Sequence, residues 1–318
     1  MSSNRAVVVD PSAPGRLVIR EVAVPYPAPS EAVVRVAAVS LNRGEVRRAM
    51  SAEAGWRPGW DLAGIVERAA KDGSGPKEGA RVVGMLRTGV GAWAEQVAVP
   101  TVSLATLPDA VTFAQAATLP VAGLTALHAL MRGGLLVGKP VLITGASGGV
   151  GDYALQLARL SGARVVAHVR REAQVAAARQ AGADEALVGE DLPAGQPFGP
   201  YALILDSLGG KTLATALTLL DEGGVCVNFG ATAGAQVTFD VSRFYPIGRA
   251  SLYGLILFDE LKTVEPAGLG LARLAGLVAR GQLKPSISVE APWTRVAEVA
   301  QQLTDRSYPG KAVLHIRD

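Results

Sequence analysis

One block of this chain constrains its fold more than any other. It runs from Val141 to Val169 and reads VLITGASGGVGDYALQLARLSGARVVAHV. An apolar strand, a glycine turn, a helix closed by Gly162 and a second apolar strand follow one another within about 30 residues, the span of a βαβ unit. The turn itself fits three patterns. Ala146-x-Gly148-x-x-Gly151 fits a dinucleotide-binding turn, Thr144 to Gly151 fits the TGxxxGxG of short-chain dehydrogenases, and Gly145-Ala-Ser147-Gly-Gly149 fits the GxSxG elbow of α/β-hydrolases.

The flanking sequence separates them. A short-chain dehydrogenase carries its turn at the N-terminus and needs Tyr-x-x-x-Lys downstream; here the turn is mid-chain and no tyrosine has a lysine four residues later. A hydrolase needs an acid and then a histidine after Ser147. Of the three histidines, His168 follows too soon, and His315 lies inside the strand pattern KAVLHI. A hydrolase also needs βαβ units ahead of its elbow, which this chain lacks. The dinucleotide reading asks only for what is present. Gly148 admits the pyrophosphate, Gly151 lets helix and strand approach, and the helix N-terminus offers unpaired N–H groups to phosphate. Ala146 stands where the first glycine is usual. Two P-loop look-alikes fail: Pro140 follows Gly133–Lys139 where a Mg²⁺-binding hydroxyl is needed, and GGKT at Gly209–Thr212 lacks the first glycine.

The cofactor type follows from the end of the second strand. An NAD site wants an acid there for the ribose 2′-hydroxyl. Val169 is followed instead by Arg170 and Arg171. Two guanidiniums suit a 2′-phosphate, so NADP(H) is the expected cofactor.

On either side the texture differs. Up to about residue 112 the chain is a series of short β segments, among them RLVIREVAV, EAVVRVAAVSL, DLAGIVERAA and ARVVGML, at spacings that suit a small β barrel. An Ala/Leu-rich helical stretch interrupted by Pro120 comes next. From Pro140, strands and helices alternate, which implies a parallel sheet. After about residue 250 come two helices and KAVLHI, too little for a separate domain, so they are expected to complete the first one. The expected class is α/β: a β-barrel domain from 1–115 and 251–318, and a doubly wound parallel-sheet domain from 116–250. The 318 residues carry a formal charge of only +3, with basic residues dispersed, which argues against a nucleic-acid groove. No apolar run reaches membrane-spanning length and MSSNRAVVVD has no signal-peptide pattern, so a cytoplasmic protein is expected. The single cysteine, Cys226, excludes an intrachain disulfide.

With VAAVSLNRGEV, GWDLAGIV, GARVVGML, AATLPVAGLTAL, GASGGVG, LDSLGG, NFG and GKAVL read together, the chain resembles the zinc-independent quinone oxidoreductase branch of the medium-chain dehydrogenase/reductase superfamily over nearly its whole length. The resemblance implies a GroES-like catalytic domain, a Rossmann domain, a cofactor cleft between them, and often a homodimer joined through the Rossmann sheets. It places Asn42 and Thr125 near the nicotinamide. Ala146, Ser147, Gly148, Gly149, Val150 and Gly151 fall on the pyrophosphate, Ser207 and Leu208 by the adenosine, and Phe229, Gly230 and Ala231 near the nicotinamide. Asn42 also reads as a plain turn residue. The chain departs from the family in three places: arginines follow Asn42 where tyrosines are frequent, Gln174 replaces a lysine near the 2′-phosphate, and Gly189 replaces a tyrosine.

The reaction is bounded by what is missing. Metal-dependent cousins stabilise an alkoxide with zinc, held by cysteine and histidine. Their Gly-His-Glu stretch reads Gly59-Trp60-Asp61 here, and the cysteine-rich structural loop is absent. A conjugated carbonyl spreads the charge through its own π system. NADPH-dependent, metal-free hydride transfer to a quinone or an α,β-unsaturated carbonyl is therefore expected, with Asn42 the one polar candidate for orienting substrate or nicotinamide and no protein acid assigned. The same scaffold also supports a catalytically silent NADPH-binding protein.

Overall fold

A computed structural model describes residues 3–87, 91–193 and 197–316. The chain divides into two compact units, 1–124 with 261–318, and 125–260.

The first unit is β-rich. Its elements are β1 (Asn4–Val9), β2 (Leu17–Val22), β3 (Glu31–Ser40), α1 (Arg43–Ser51), β4 (Asp61–Arg68), β5 (Arg81–Met85), β6 (Gln96–Pro100), β7 (Leu104–Thr106) and α2 (Phe113–Ala117). β1 and β2 form an antiparallel pair of their own. Ten-residue β3 organises the main sheet, pairing antiparallel with β4 across register shifts and with β6 in continuous register. Its alternation of β-branched and small residues buries Val34, Val36 and Val39 with Leu62, Val97, Trp93 and Trp293 in one core.

The second unit begins inside α3 (Leu124–Met131) and continues through β8 (Pro140–Ile143), α4 (Gly149–Leu160), β9 (Arg164–Val169), α5 (Val175–Gln180), β10 (Glu185–Val188), β11 (Tyr201–Asp206), α6 (Gly210–Leu217), β12 (Leu220–Asn228), α7 (Val241–Phe244), β13 (Ser251–Gly254) and most of α8 (Leu257–Thr263). The six strands are all parallel, in the order β10-β9-β8-β11-β12-β13. This is the doubly wound order whose direction reverses between β8 and β11, the place where such sheets bind ligands. Leu142, Val166, Ile204, Leu213 and Cys226 pack on one of its faces.

The chain then returns to the first unit with α9 (Ala267–Ala279), β14 (Ile287–Pro292), α10 (Val296–Thr304) and β15 (Lys311–His315). β15 pairs antiparallel with β3 through Val313 and Ser40, so KAVLHI is an inner strand of the barrel sheet.

The unit boundaries fall later than 115 and 250. The capping box of Thr112 and Gln115 starts α2, and α2 stays with the barrel, packing on β3 and β4. Pro120 lies at the start of a π turn, Leu119–Gly123, where its missing N–H is tolerated before α3 begins. α1 was not expected: Asn42 in SLNRG also reads as a turn residue, yet it is the N-cap of nine helical residues, Arg43–Ser51.

Candidate functional site

In the second unit the glycine turn spans from β8 to α4. Gly145 has φ of 60°, a conformation that glycine adopts without strain. A Cβ there would stand 2.4 Å from the Ser207 hydroxyl oxygen. A Cβ on Gly151 would come within 2.5 Å of the Gly145 carbonyl oxygen and 2.6 Å of the Ala146 Cα, so only glycine allows α4 to start this close to the strand. Gly148 is the N-cap and has no side chain to cap the helix, which leaves the first N–H groups of α4 for an anion.

Around that turn, buried Asp206 ties three strand ends together. It accepts hydrogen bonds from the Thr144 hydroxyl (2.8 Å), the Gly209 N–H (2.9 Å) and Asn228 Nδ2 (2.8 Å). Ser207 N–H donates to Thr144 Oγ1 and its hydroxyl to the Thr144 carbonyl. A Cβ on Gly230 would meet the Ser207 carbonyl at 2.7 Å, and one on Gly209 would lie 3.1 Å from the Ala231 Cα. Ala146–Gly151, Ser207, Leu208, Gly230 and Ala231 thus gather at the carboxyl ends of β8, β11 and β12. Thr125 sits apart in sequence, in the first turn of α3, buried.

The end of β9 is tied to the same turn by Gln174. Its Oε1 accepts the N–H groups of Arg170 (3.1 Å) and Arg171 (3.0 Å), while its Nε2 donates to Ser147 Oγ (3.0 Å). Both arginine side chains are exposed, and among the described residues neither guanidinium has an ion-pair partner. Next to them, burial lowers the pKa of His168, against the opposing pull of its bond to the Gly189 carbonyl (3.0 Å). As a neutral ring it donates there from Nε2.

Asn42 belongs to the first unit and to a second construction. Lys311 Nζ donates to Asn42 Oδ1 (2.5 Å) and to the Leu41 carbonyl (2.9 Å), and lies 3.6 Å from Asp61 Oδ2. Asn42 Nδ2 donates to Asp61 Oδ2 (2.7 Å) and Glu45 Oε1 (3.0 Å). Asp61 also accepts from the Ser40 hydroxyl (2.6 Å) and the Val121 N–H (3.0 Å). Glu45 takes the N–H groups of Asn42 (2.7 Å) and Trp60 (2.8 Å). Asp61 and Glu45 are 0% exposed and Lys311 is 4% exposed. Burial and the neighbouring Asp61 carboxylate push the Glu45 carboxyl well above its usual range, with Lys311 opposing. Burial lowers Lys311, with the two carboxylates opposing.

The sequence reading left Lys311, Glu45, Asp206 and Thr144 without roles. The signals were there: a charged residue at the edge of an apolar strand, in GKAVL and LDSLGG, has to find a partner once buried. Ser147 is engaged by Gln174, and His315 pairs with Glu290 at 2.8 Å in the first unit, which leaves the hydrolase pattern without its machinery.

A GroES-like barrel unit and a six-stranded doubly wound sheet with a pyrophosphate-type turn define a nicotinamide-dependent oxidoreductase. The model of the alcohol dehydrogenase GroES-like domain matches residues 28–109, and that of the zinc-binding dehydrogenase domain matches 149–267. The chain is 30% identical over 312 residues to the chloroplast envelope quinone oxidoreductase homolog of Arabidopsis thaliana, covering 92% of each chain. It is 29% identical to that plant's chloroplastic NADPH-dependent alkenal/one oxidoreductase, covering 92% of this chain and 74% of the relative. A mycobacterial structure solved with NADPH superposes with a TM-score of 0.85 at 25% identity, covering 99% of this chain and 100% of that one. The chain belongs to the zinc-independent quinone oxidoreductase-like branch of the medium-chain dehydrogenase/reductase superfamily, and it is an oxidoreductase.

Zinc does not fit the residues present. Where the metal-dependent relatives carry Gly-His-Glu, Trp60 has no metal-donor atom, and its ring lies against α1: a Cβ on Gly44 would be 3.0 Å from Cη2. Asp61 already takes N–H, O–H and ammonium donors, and Glu45 takes three N–H donors. Among the described residues no three His, Cys, Asp or Glu side chains group as a metal site. A nicotinamide dinucleotide does fit, at the uncapped turn and beside the unpaired arginines. No helix of the described residues is long and apolar enough to cross a membrane.

Proposed function

We propose that this protein is an NADPH-dependent reductase of quinones and α,β-unsaturated carbonyl compounds. The observation that carries the NADPH preference is the pair of unpaired guanidiniums at the end of β9, with no acid in the ribose position. Relatives named for quinones and for alkenals and alkenones support the substrate class. The residues that hold the dinucleotide in this reading are Ala146–Gly151 for the pyrophosphate, Ser207 and Leu208 by the adenosine, and Arg170 and Arg171 for the 2′-phosphate. Phe229, Gly230, Ala231 and Thr125 are assigned to the nicotinamide end.

The bound cofactor supplies a hydride. The substrate takes it at the β-carbon or quinone ring, and water supplies the proton that completes the reduction. The carbonyl's own conjugation spreads the intermediate charge, so positioning provides much of the catalysis. Asn42 has a restricted part in this. Both Nδ2 hydrogens are committed to Asp61 and Glu45, and Oδ1 already takes Lys311. One acceptor lone pair is left. It suits an N–H donor such as the nicotinamide carboxamide, and not a substrate carbonyl. Asn42 is therefore assigned to the cofactor side.

The test is oxidation of NADPH and NADH with a panel of quinones, alkenals and alkenones. Turnover with NADPH preferred supports the reading; NADPH binding with no turnover across the panel returns the protein to a silent binding role. A homodimer belongs to the same proposal: β13 has no strand partner on its outer side among the described residues, and light scattering would read a monomer if this is wrong.

A further inference from the structure

Gln174 uses both ends of its side-chain amide, and helix capping accounts for only one of its bonds. It closes the 3₁₀ turn Glu172–Gln174 that follows β9. A glutamine at the third helical position caps by reaching back to one backbone N–H, here that of Arg171 at 3.0 Å. The same oxygen also takes the N–H of Arg170 at 3.1 Å, so one acceptor holds two successive arginines. At the other end Nε2 donates to Ser147 Oγ at 3.0 Å, 27 residues away in the glycine turn. Ser147 thus has its oxygen engaged, while its own hydrogen has no acceptor among the described residues. All four residues belong to the parallel-sheet unit. The chemistry is particular to glutamine at this length. Glutamate would accept both N–H groups but has no hydrogen to give Ser147, and lysine would donate but accept nothing. A glutamate would also draw the serine hydrogen onto itself.

We propose that Gln174 is a positioning residue that joins the 2′-phosphate and pyrophosphate subsites of the dinucleotide into one construction. The inference rests on the NADPH reading above, in which Arg170 and Arg171 take the 2′-phosphate and Ser147 lies on the pyrophosphate. Gln174 fixes the backbone where it leaves β9, and so fixes where both guanidinium side chains start. Guanidinium–phosphate bonds depend on orientation, because the N–H donors are paired and planar. Freeing that corner weakens them without removing a charge. On the turn, the amide occupies the Ser147 oxygen and leaves its hydrogen for a phosphate oxygen. One consequence is not local. A change at Ser147 should reduce the preference for a 2′-phosphate, a group that Ser147 is not assigned to touch.

The experiment uses two cofactor pieces that lack the nicotinamide, 2′-phospho-ADP-ribose and ADP-ribose, titrated calorimetrically into the full chain. The ratio of their dissociation constants reads the 2′-phosphate alone. The parent should prefer the phosphorylated piece by about ten- to hundredfold. Gln174→Ala and Ser147→Ala should each lower that ratio about three- to tenfold, and the double variant should lower it no further than Gln174→Ala does, because the two changes remove one shared bond. Hydrogen exchange in the unliganded protein should quicken at the Arg170 and Arg171 amides in both single variants. A Gln174 that only caps would lower the unfolding midpoint of Gln174→Ala and leave the ratio where it was. A ratio that either single variant leaves unchanged overturns the inference, as do losses that multiply in the double variant; in both cases the NADPH reading stands. Equal binding of the two pieces by the parent overturns the inference and the NADPH reading together.

Discussion

Replacing Lys311 by methionine isolates the buried charge cluster of the barrel unit. The side chain keeps a similar length and loses the ammonium that faces Asp61, Asn42 Oδ1 and the Leu41 carbonyl. Two carboxylates then share a pocket with no cation. Removing one partner of a buried ion pair destabilises by about 3–5 kcal/mol, and a urea slope of about 2–3 kcal/mol per molar converts this into a midpoint roughly 1–2 M lower. The loss should depend on pH, with a definite sign. Burial and Asp61 already hold Glu45 above its usual range, and Lys311 is the group that opposes them. Without the lysine the folded-state value rises further. A carboxyl whose folded pKa exceeds its unfolded value contributes stability that is complete below the unfolded value and is lost as pH rises through the folded one. The variant should therefore lose least near pH 5 and most near pH 8. The assay can be confined to the relevant unit, because the four tryptophans, Trp56, Trp60, Trp93 and Trp293, all lie in it. Adding Asp61→Asn should restore part of the loss, since one buried negative charge goes with the positive one. A loss of equal size at both pH values, or one under about 1 kcal/mol, would refute the account.

Arg170→Ala/Arg171→Ala should lower the ratio of NADPH to NADH affinity by about ten- to hundredfold for each good phosphate contact, read from the two dissociation constants; a parent protein that binds both equally would count against the assignment. Gly151→Val should abolish dinucleotide binding and lower the stability of the parallel-sheet unit by about 1–3 kcal/mol, because its side chain meets the Gly145 carbonyl and Ala146 backbone; cofactor titration with hydrogen exchange over β8 and α4 reads both. Turnover should persist in excess chelator, and loss of activity restored by added zinc would reverse the metal-free reading.

The parallel-sheet unit was legible because its signals are local. VLITGASGGVG holds the strand, the turn and the helix start within one window, and the close approach at Gly151 is written in the missing side chain. The supports beneath the turn were not legible. Asp206 and Thr144 meet across 62 residues, and nothing in a linear pattern says that an acid ending an apolar strand will tie down a neighbouring strand's hydroxyl. α1 was missed for a different reason. Its apolar positions, Val46 and Ala49, are few, and its start is fixed by Glu45 reaching back to the Asn42 N–H. Asn42 was recognised by its surroundings, but its donors are taken by Glu45 and Asp61 and its amide oxygen by Lys311, the last of them 269 residues away.

That separation bears on how the molecule is made. Residues 125–260 are contiguous, so the parallel-sheet unit holds all its strands once that stretch has left the ribosome. The barrel cannot finish on the same schedule. Its first 124 residues emerge earliest, yet the strand that lies between β3 and β14, and the ammonium that answers Asp61 and Glu45, arrive with residue 311. Domains usually mature in order of synthesis; here the earliest-made segment has to wait for the latest. Until then it exposes an open flank of β3 and two carboxylates awaiting burial, which makes the nascent barrel half the stretch most in need of chaperone cover.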